Sequence, residues 1–239
     1  MSLRVLVLSE DGPGGEATLR AMVLAALKTS GEHVDTRPDE MITWCRISDR
    51  ARNLFNMIFK EAKPSRDGTD VRREIAEQLR SGGADLVVAH VDADRRWSER
   101  EASPFAGFLD TRFRARIASE ATVDGSRIVG FIPHWEIEAW TYQNLDALGQ
   151  IVAKKGLPGP LAAELETWRA DRASLDEVAD PSDLPPGKIH NAELSGVGWP
   201  WKAVHAANAS FAHSANALCS HPLVRERLGW PARVVSPAQ

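Results

Sequence analysis

Apolar residues along this chain alternate between short unbroken runs and segments with a helical period. Residues 3–8 form a nearly continuous apolar run with β-branched members, and a turn-rich segment closes it, which suits a central parallel strand. After a loop at 9–15, residues 16–28 put Leu19, Met22, Val23 and Ala26 on one helical face. Residues 41–47 suggest a second strand, followed by helices near 49–61 and 69–81, the latter ended by Gly82 and Gly83. Leu86, Val87, Val88 and Val91 mark a strand over 84–91 that runs directly into Asp92, Ala93 and Asp94. A helix within 104–120, a strand over 127–132 closed by Pro133, and a helix over 135–148 complete the pattern.

Strands separated by helical stretches predict an α/β fold: a Rossmann-like, mainly parallel sheet with helices on both faces. Beyond residue 148 the pattern becomes helical, with segments over 160–170 and 202–219 around a Pro/Asp-rich stretch at 180–187. Residues 1–150 therefore read as the α/β domain and 151–239 as a C-terminal helical cap on the same core.

Charge narrows the partners. With 29 basic and 33 acidic side chains the chain carries a net charge of −4, so nucleic-acid binding would have to be local. Arg95, Arg96, Arg100, Arg112, Arg114 and Arg116 offer one such region, although a solvated face accounts for them equally well. Cys45 and Cys219 lie far apart with no zinc-type spacing and read as reduced thiols of a cytoplasmic protein. No run of about 20 apolar residues predicts a membrane span.

Acidic residues follow each apolar strand: Glu10, Asp11 and Glu16 after the first, Asp92 and Asp94 after 84–91, Glu136 and Glu138 after 127–132. Neighbouring parallel strands would bring these carboxylates to one rim, where they raise one another's pKa unless a cation neutralises them. Oxygen-only ligands select a hard ion, Mg²⁺ or Mn²⁺ in its place. Asp92 and Asp94, two apart on extended backbone, point the same way. Carboxylates around such ions support phosphodiester cleavage in many nucleases.

VLVLSEDGPGGEATL and LVVAHVDADRR resemble the strand-Glu-Gly-rich loop-helix and strand-Asp-x-Asp signature of the TOPRIM superfamily. GFIPHWEIEAW is similar to a proline–glutamate–tryptophan stretch of small bacterial TOPRIM-like proteins related to OLD-type nucleases. The resemblance covers roughly residues 1–150, with an echo in GWPWKAVHAAN near the end. It implies a Mg²⁺-dependent nuclease, a defence effector acting on nucleic acid (DNA before RNA), with a partner ATPase and a homodimer as further expectations. Glu10, Asp92, Asp94 and Glu138 would be its metal ligands and, with Lys202, its catalytic residues. Lys188 and His190 compete with Lys202 for the phosphate, and His205 is a further candidate. The inserted Asp11 and the Gly-Pro-Gly-Gly loop depart from the family pattern and leave the register of Glu16 open.

Other readings stand beside this one. Asp92 and Asp94 also suit a turn or helix cap, and Glu136 and Glu138 suit the first turn of a helix. Gly12 to Gly15 could cradle a phosphate, although neither a dinucleotide fingerprint nor a Walker loop is present. His90 and His134 read as structural. A non-catalytic TOPRIM-shaped binding or partner module is the main alternative to an enzyme.

Overall fold

The computed structural model describes residues 2–29, 38–55, 66–92, 115, 124–133, 136–156, 160–177, 190–196 and 198–231. Four strands, β1 (Leu3–Ser9), β2 (Ile42–Cys45), β3 (Leu86–His90) and β4 (Ile128–Phe131), form one sheet. Its order is β2-β1-β3-β4 and every pairing is parallel. The helices are α1 (Gly12–Thr29), α2 (Pro38–Met41), α3 (Asp49–Asn53), α4 (Arg66–Arg80), α5 (Glu138–Thr141), α6 (Leu145–Lys155), α7 (Pro160–Ala170), α8 (Asn191–Leu194), α9 (Trp201–Ala207), α10 (Ala209–Ser220) and α11 (Pro222–Arg227).

Alternation along the strands sorts the core into two layers. Val5, Val7, Val88 and Phe131 face one way, against Leu19, Met22 and Val23 of α1 and Phe211, Leu218 and Val224 of the last helices. Leu6, Leu8, Val87 and Ala89 face the other, against Ala51 of α3 and Val71, Ile75 and Leu79 of α4. Each fully buried Val, Leu, Ile, Met or Phe side chain among these contributes about 1.5–3 kcal/mol relative to an exposed one. The predicted fold class, a parallel sheet with helices on both faces and a helical C-terminal region, is the observed one. A smaller cluster, with Tyr142, Leu148, Trp168 and Leu194, joins α6, α7 and α8.

Element boundaries differ from the sequence reading in instructive places. The first helix starts at Gly12, not Glu16, because Gly12 adopts φ +66° and turns the chain directly into it. The helix expected over 135–148 is two pieces: at Asn144 the backbone leaves helical geometry and its side-chain amide donates to the Leu194 carbonyl at 2.9 Å. The helix expected over 202–219 breaks at Asn208, whose backbone is extended (φ −106°, ψ 105°). The helix expected within 104–120 lies outside the described residues except for Ala115, as does most of the one expected beyond Phe55.

β1 leads to β2 on one side of the sheet and β3 leads to β4 on the other, so the winding reverses between β1 and β3. At such a switch point the connecting segments part and leave a crevice above the strand C-termini, where ligands bind in open α/β sheets. The opposite end is tied shut. Asp85, just before β3, accepts from the Arg4 backbone N–H at 2.8 Å and from its guanidinium at 2.9 Å. Arg127 donates to the carbonyls of Leu79, Ala84 and Asp85.

Candidate metal centre at the switch point

The C-terminal ends of β1 and β3 bring two of the four expected metal ligands, Glu10 and Asp92, together. Ser9 pairs in register with His90, so the residues that follow each strand emerge side by side. Glu10 N–H donates to the His90 carbonyl at 3.2 Å, extending the ladder one step past the strand. In return the Asp92 backbone N–H donates to Glu10 Oε1 at 2.8 Å. Glu10 and Asp92, 82 positions apart, are thus joined directly.

A buried chain of hydrogen bonds supports Asp92. The Asp11 N–H donates to Ser9 Oγ at 3.2 Å, Ser9 Oγ bonds His90 Nδ1 at 2.9 Å, and His90 Nε2 bonds Asp92 Oδ1 at 2.9 Å. The Ile137 N–H reaches the same Oδ1 at 3.0 Å from beyond β4. One carboxylate oxygen is therefore held from two sides. Gly15 is required beneath this chain: a Cβ there would overlap Ser9 Oγ and lie 2.8 Å from Asp11 Cβ.

The electrostatics of Asp92 are unfavourable for an isolated charge. Burial, with a relative exposure of 6%, raises its pKa well above the ordinary aspartate value, and the charges of Glu10, Glu136 and Asp11 raise it further. Such a group holds a proton or shares a cation. Asp11, His90 and Asp92 each offer a ligand atom, all within 4.8 Å of one another. His90 has both ring nitrogens engaged, by Ser9 and Asp92. Of these three, Asp11 and Asp92 offer carboxylate oxygens without breaking that chain, and Glu10 adjoins them through its bond to the Asp92 backbone; carboxylate oxygens are the hard donors that Mg²⁺ and Mn²⁺ prefer. Imidazole would hold the aspartate in place, as the outer partners of metal ligands commonly do.

The remaining candidates are placed differently. Glu138 is fully buried, accepts from Asn191 Nδ2 at 2.7 Å through Oε1, and leaves Oε2 without a hydrogen-bond partner. Of the two acids after β4, Glu136 is the one whose charge bears strongly on Asp92. Glu16 is turned away by cations: Arg52 grips both its oxygens, at 2.8 and 2.6 Å, and Arg20 stands 3.7 Å off. Lys202 is exposed on α9 with its ammonium 5.2 Å from the Trp201 ring centroid. Among the described residues it has no ion pair with the rim carboxylates. His190 lies 3.3 Å from Glu193, and His205 the same distance from Asn216. Asp94, Lys188 and the arginines 95–116 lie outside the described residues.

Sequence reasoning passes over Ser9 and reads His90 as structural without naming Asp92 as its partner. One signal was available: His90 and Asp92 are two apart, and the alternation that aligned Asp92 with Asp94 applies equally to them.

No protein-family model, curated protein or solved structure matches the chain. Among the described residues no helix is long and apolar enough to cross a membrane.

Proposed function

We propose that the crevice between β1 and β3 binds a divalent cation, Mg²⁺ or Mn²⁺, and that the chain hydrolyses nucleic-acid phosphodiesters in the manner of TOPRIM-type nucleases. The observation that carries this reading is the bond between Glu10 and Asp92 in a setting that raises the Asp92 pKa. Carboxylates collected where each destabilises the next are expensive to maintain, and an oxygen-bound cation relieves that cost.

In this reading Glu10, Asp11 and Asp92 hold the ion, with Asp94 two residues further on. Glu136 adds negative charge beside them, and His90 fixes the orientation of Asp92 by holding Oδ1. Glu138 supports the same segment through Asn191. When bound, the ion would supply Lewis-acid stabilisation of the phosphodiester oxygens. Lys202 remains the candidate phosphate contact suggested by the resemblance.

The test is an assay of the purified chain on DNA and RNA with Mg²⁺, Mn²⁺ or chelator, together with calorimetric titration of Mn²⁺. Cation-dependent cleavage that falls to background in Asp92→Asn is the expected result. Cleavage that survives in Asp92→Asn overturns the proposal. Mn²⁺ binding without cleavage of any substrate would make the site a binding module, the second reading.

A further inference from the structure

Among the described residues, the rim above β1 and β3 carries Glu10, Asp11 and Asp92, whereas the rim beside β1 and β2 mixes arginines with the acids Glu16, Asp49 and Glu74. Arg20 projects from α1, Arg46 follows the last residue of β2, and Arg52 lies on α3. The Arg20 guanidinium sits over the Trp44 ring, 5.5 Å from its centroid. Trp44 and Arg46 are two residues apart at the end of β2, which directs both towards α1. Arg52 reaches over the sheet end to Glu16 of α1, closing the group from the opposite face.

Three guanidinium groups here meet few anions. Glu16 is shared between Arg52 and Arg20, and Asp49 pairs with Arg52 at 3.0 Å. Among the described residues Arg46 is exposed and forms no ion pair. Arg20 Nε is buried without a hydrogen-bond partner. Burial holds the Arg20 pKa below its ordinary value, and the charges of Arg46 and Arg52 push the same way against Glu16. Arg46 thus adds an exposed positive charge beside the Arg20 guanidinium.

The geometry points to a phosphate site formed by Arg20 and Arg46, braced by the Arg52–Glu16 pair, that holds the backbone of a nucleic-acid strand beside the acidic crevice. The inference rests on the phosphodiester reading for the identity of the anion. Arginine suits the role because its planar fork matches phosphate oxygens. The sites divide the work: the arginines supply affinity without base readout, and the acidic crevice, which would repel an unaccompanied phosphate, accepts one with its cation.

Binding of a fluorescein-labelled single-stranded DNA oligonucleotide, followed by anisotropy in chelator over a KCl series, tests this without catalysis. Arg46→Glu is expected to weaken binding at least about tenfold, and Arg46→Ala to reduce the salt slope by about one. Arg80→Glu makes the same charge change on an exposed residue at the end of α4, by the closed end of the sheet, and is expected to bind as the parent does. Mn²⁺ titration of Arg46→Glu is expected to match the parent. Arg46→Glu binding no more weakly than Arg80→Glu, or no oligonucleotide binding by the parent, overturns the inference. If cleavage is Asp92-dependent but Arg46 has no effect on binding, only the phosphate site fails. If Arg46→Glu weakens binding of a protein that cleaves nothing, the phosphate site stands and the nuclease reading fails.

Discussion

The two ends of β3 carry aspartates with opposite fates. Asp85, before the strand, is as deeply buried as Asp92, at 6% exposure, which alone would raise its pKa, but the Arg4 hydrogen bonds and charge, with Arg227 3.7 Å away, outweigh burial and hold it low. Asp92, after the strand, is buried among carboxylates that push its pKa up. The same residue type on the same strand is a fastener at one end and a source of strain at the other. Arginines tie Asp85 down, whereas Asp92 stands where burial and neighbouring carboxylates disfavour its charge, a cost that a proton or a bound cation relieves.

That contrast can be broken or sharpened experimentally. The largest effect is expected from Gly15→Ala. Its methyl would collide with Ser9 and Asp11, costing about 1–3 kcal/mol in denaturant unfolding and loosening the Ser9–His90–Asp92 chain. Unchanged stability would mean that the β1–α1 turn relaxes without loss and that the packing beneath the crevice is not specific. Next is His90→Gln, which cannot bridge Ser9 and Asp92 as imidazole does. Mn²⁺ affinity by calorimetry should fall about 10–100-fold with the fold intact by circular dichroism. An affinity equal to the parent's would show that Asp92 needs no orientation.

The smallest effect is also the most diagnostic. For Asp92 the folded pKa is raised, so the native state binds more protons than the unfolded one, and cation-free stability declines as pH rises from about 4 through that raised value. For Asp85 the folded pKa is lowered, so its contribution is present above about 4 and is lost as pH falls through the lowered value. Melting in chelator at neutral pH should therefore respond in opposite directions. Asp92→Asn, which keeps an Oδ1 acceptor for His90 and Ile137, is expected to melt a few degrees higher than the parent, and Asp85→Asn a few degrees lower. Shifts of the same sign would refute the division between the two ends of the sheet.

Much of the architecture was legible because the hydrophobic effect writes itself into sequence as periodicity. The continuous runs before Glu10 and Asp92 could only be strands buried on both faces, and their neighbouring positions in a parallel sheet brought the two acids to one rim. What periodicity does not encode is the tertiary partner of a polar side chain. Glu16 and Glu10 look alike in the same short stretch, yet one is gripped by Arg52 and the other meets Asp92. His90 hides inside an apolar run, and only its alignment with Ser9 across the sheet reveals why an imidazole sits there. The breaks at Asn144 and Asn208 were hidden for a related reason: asparagine continues a helix tolerably well until a distant contact or a change of direction makes another geometry better.

One layer of the core has a practical consequence. Phe211, Leu218 and Val224 are packed with Leu19, Met22 and Val88, so the last helices are the wall against which the sheet and its first helix are seated. Cutting the chain near residue 150 would strip that wall and leave aliphatic side chains open to water. Any effort to isolate the crevice on a shorter fragment should accordingly yield an insoluble product, whereas the intact polypeptide keeps the crevice on a firm seat.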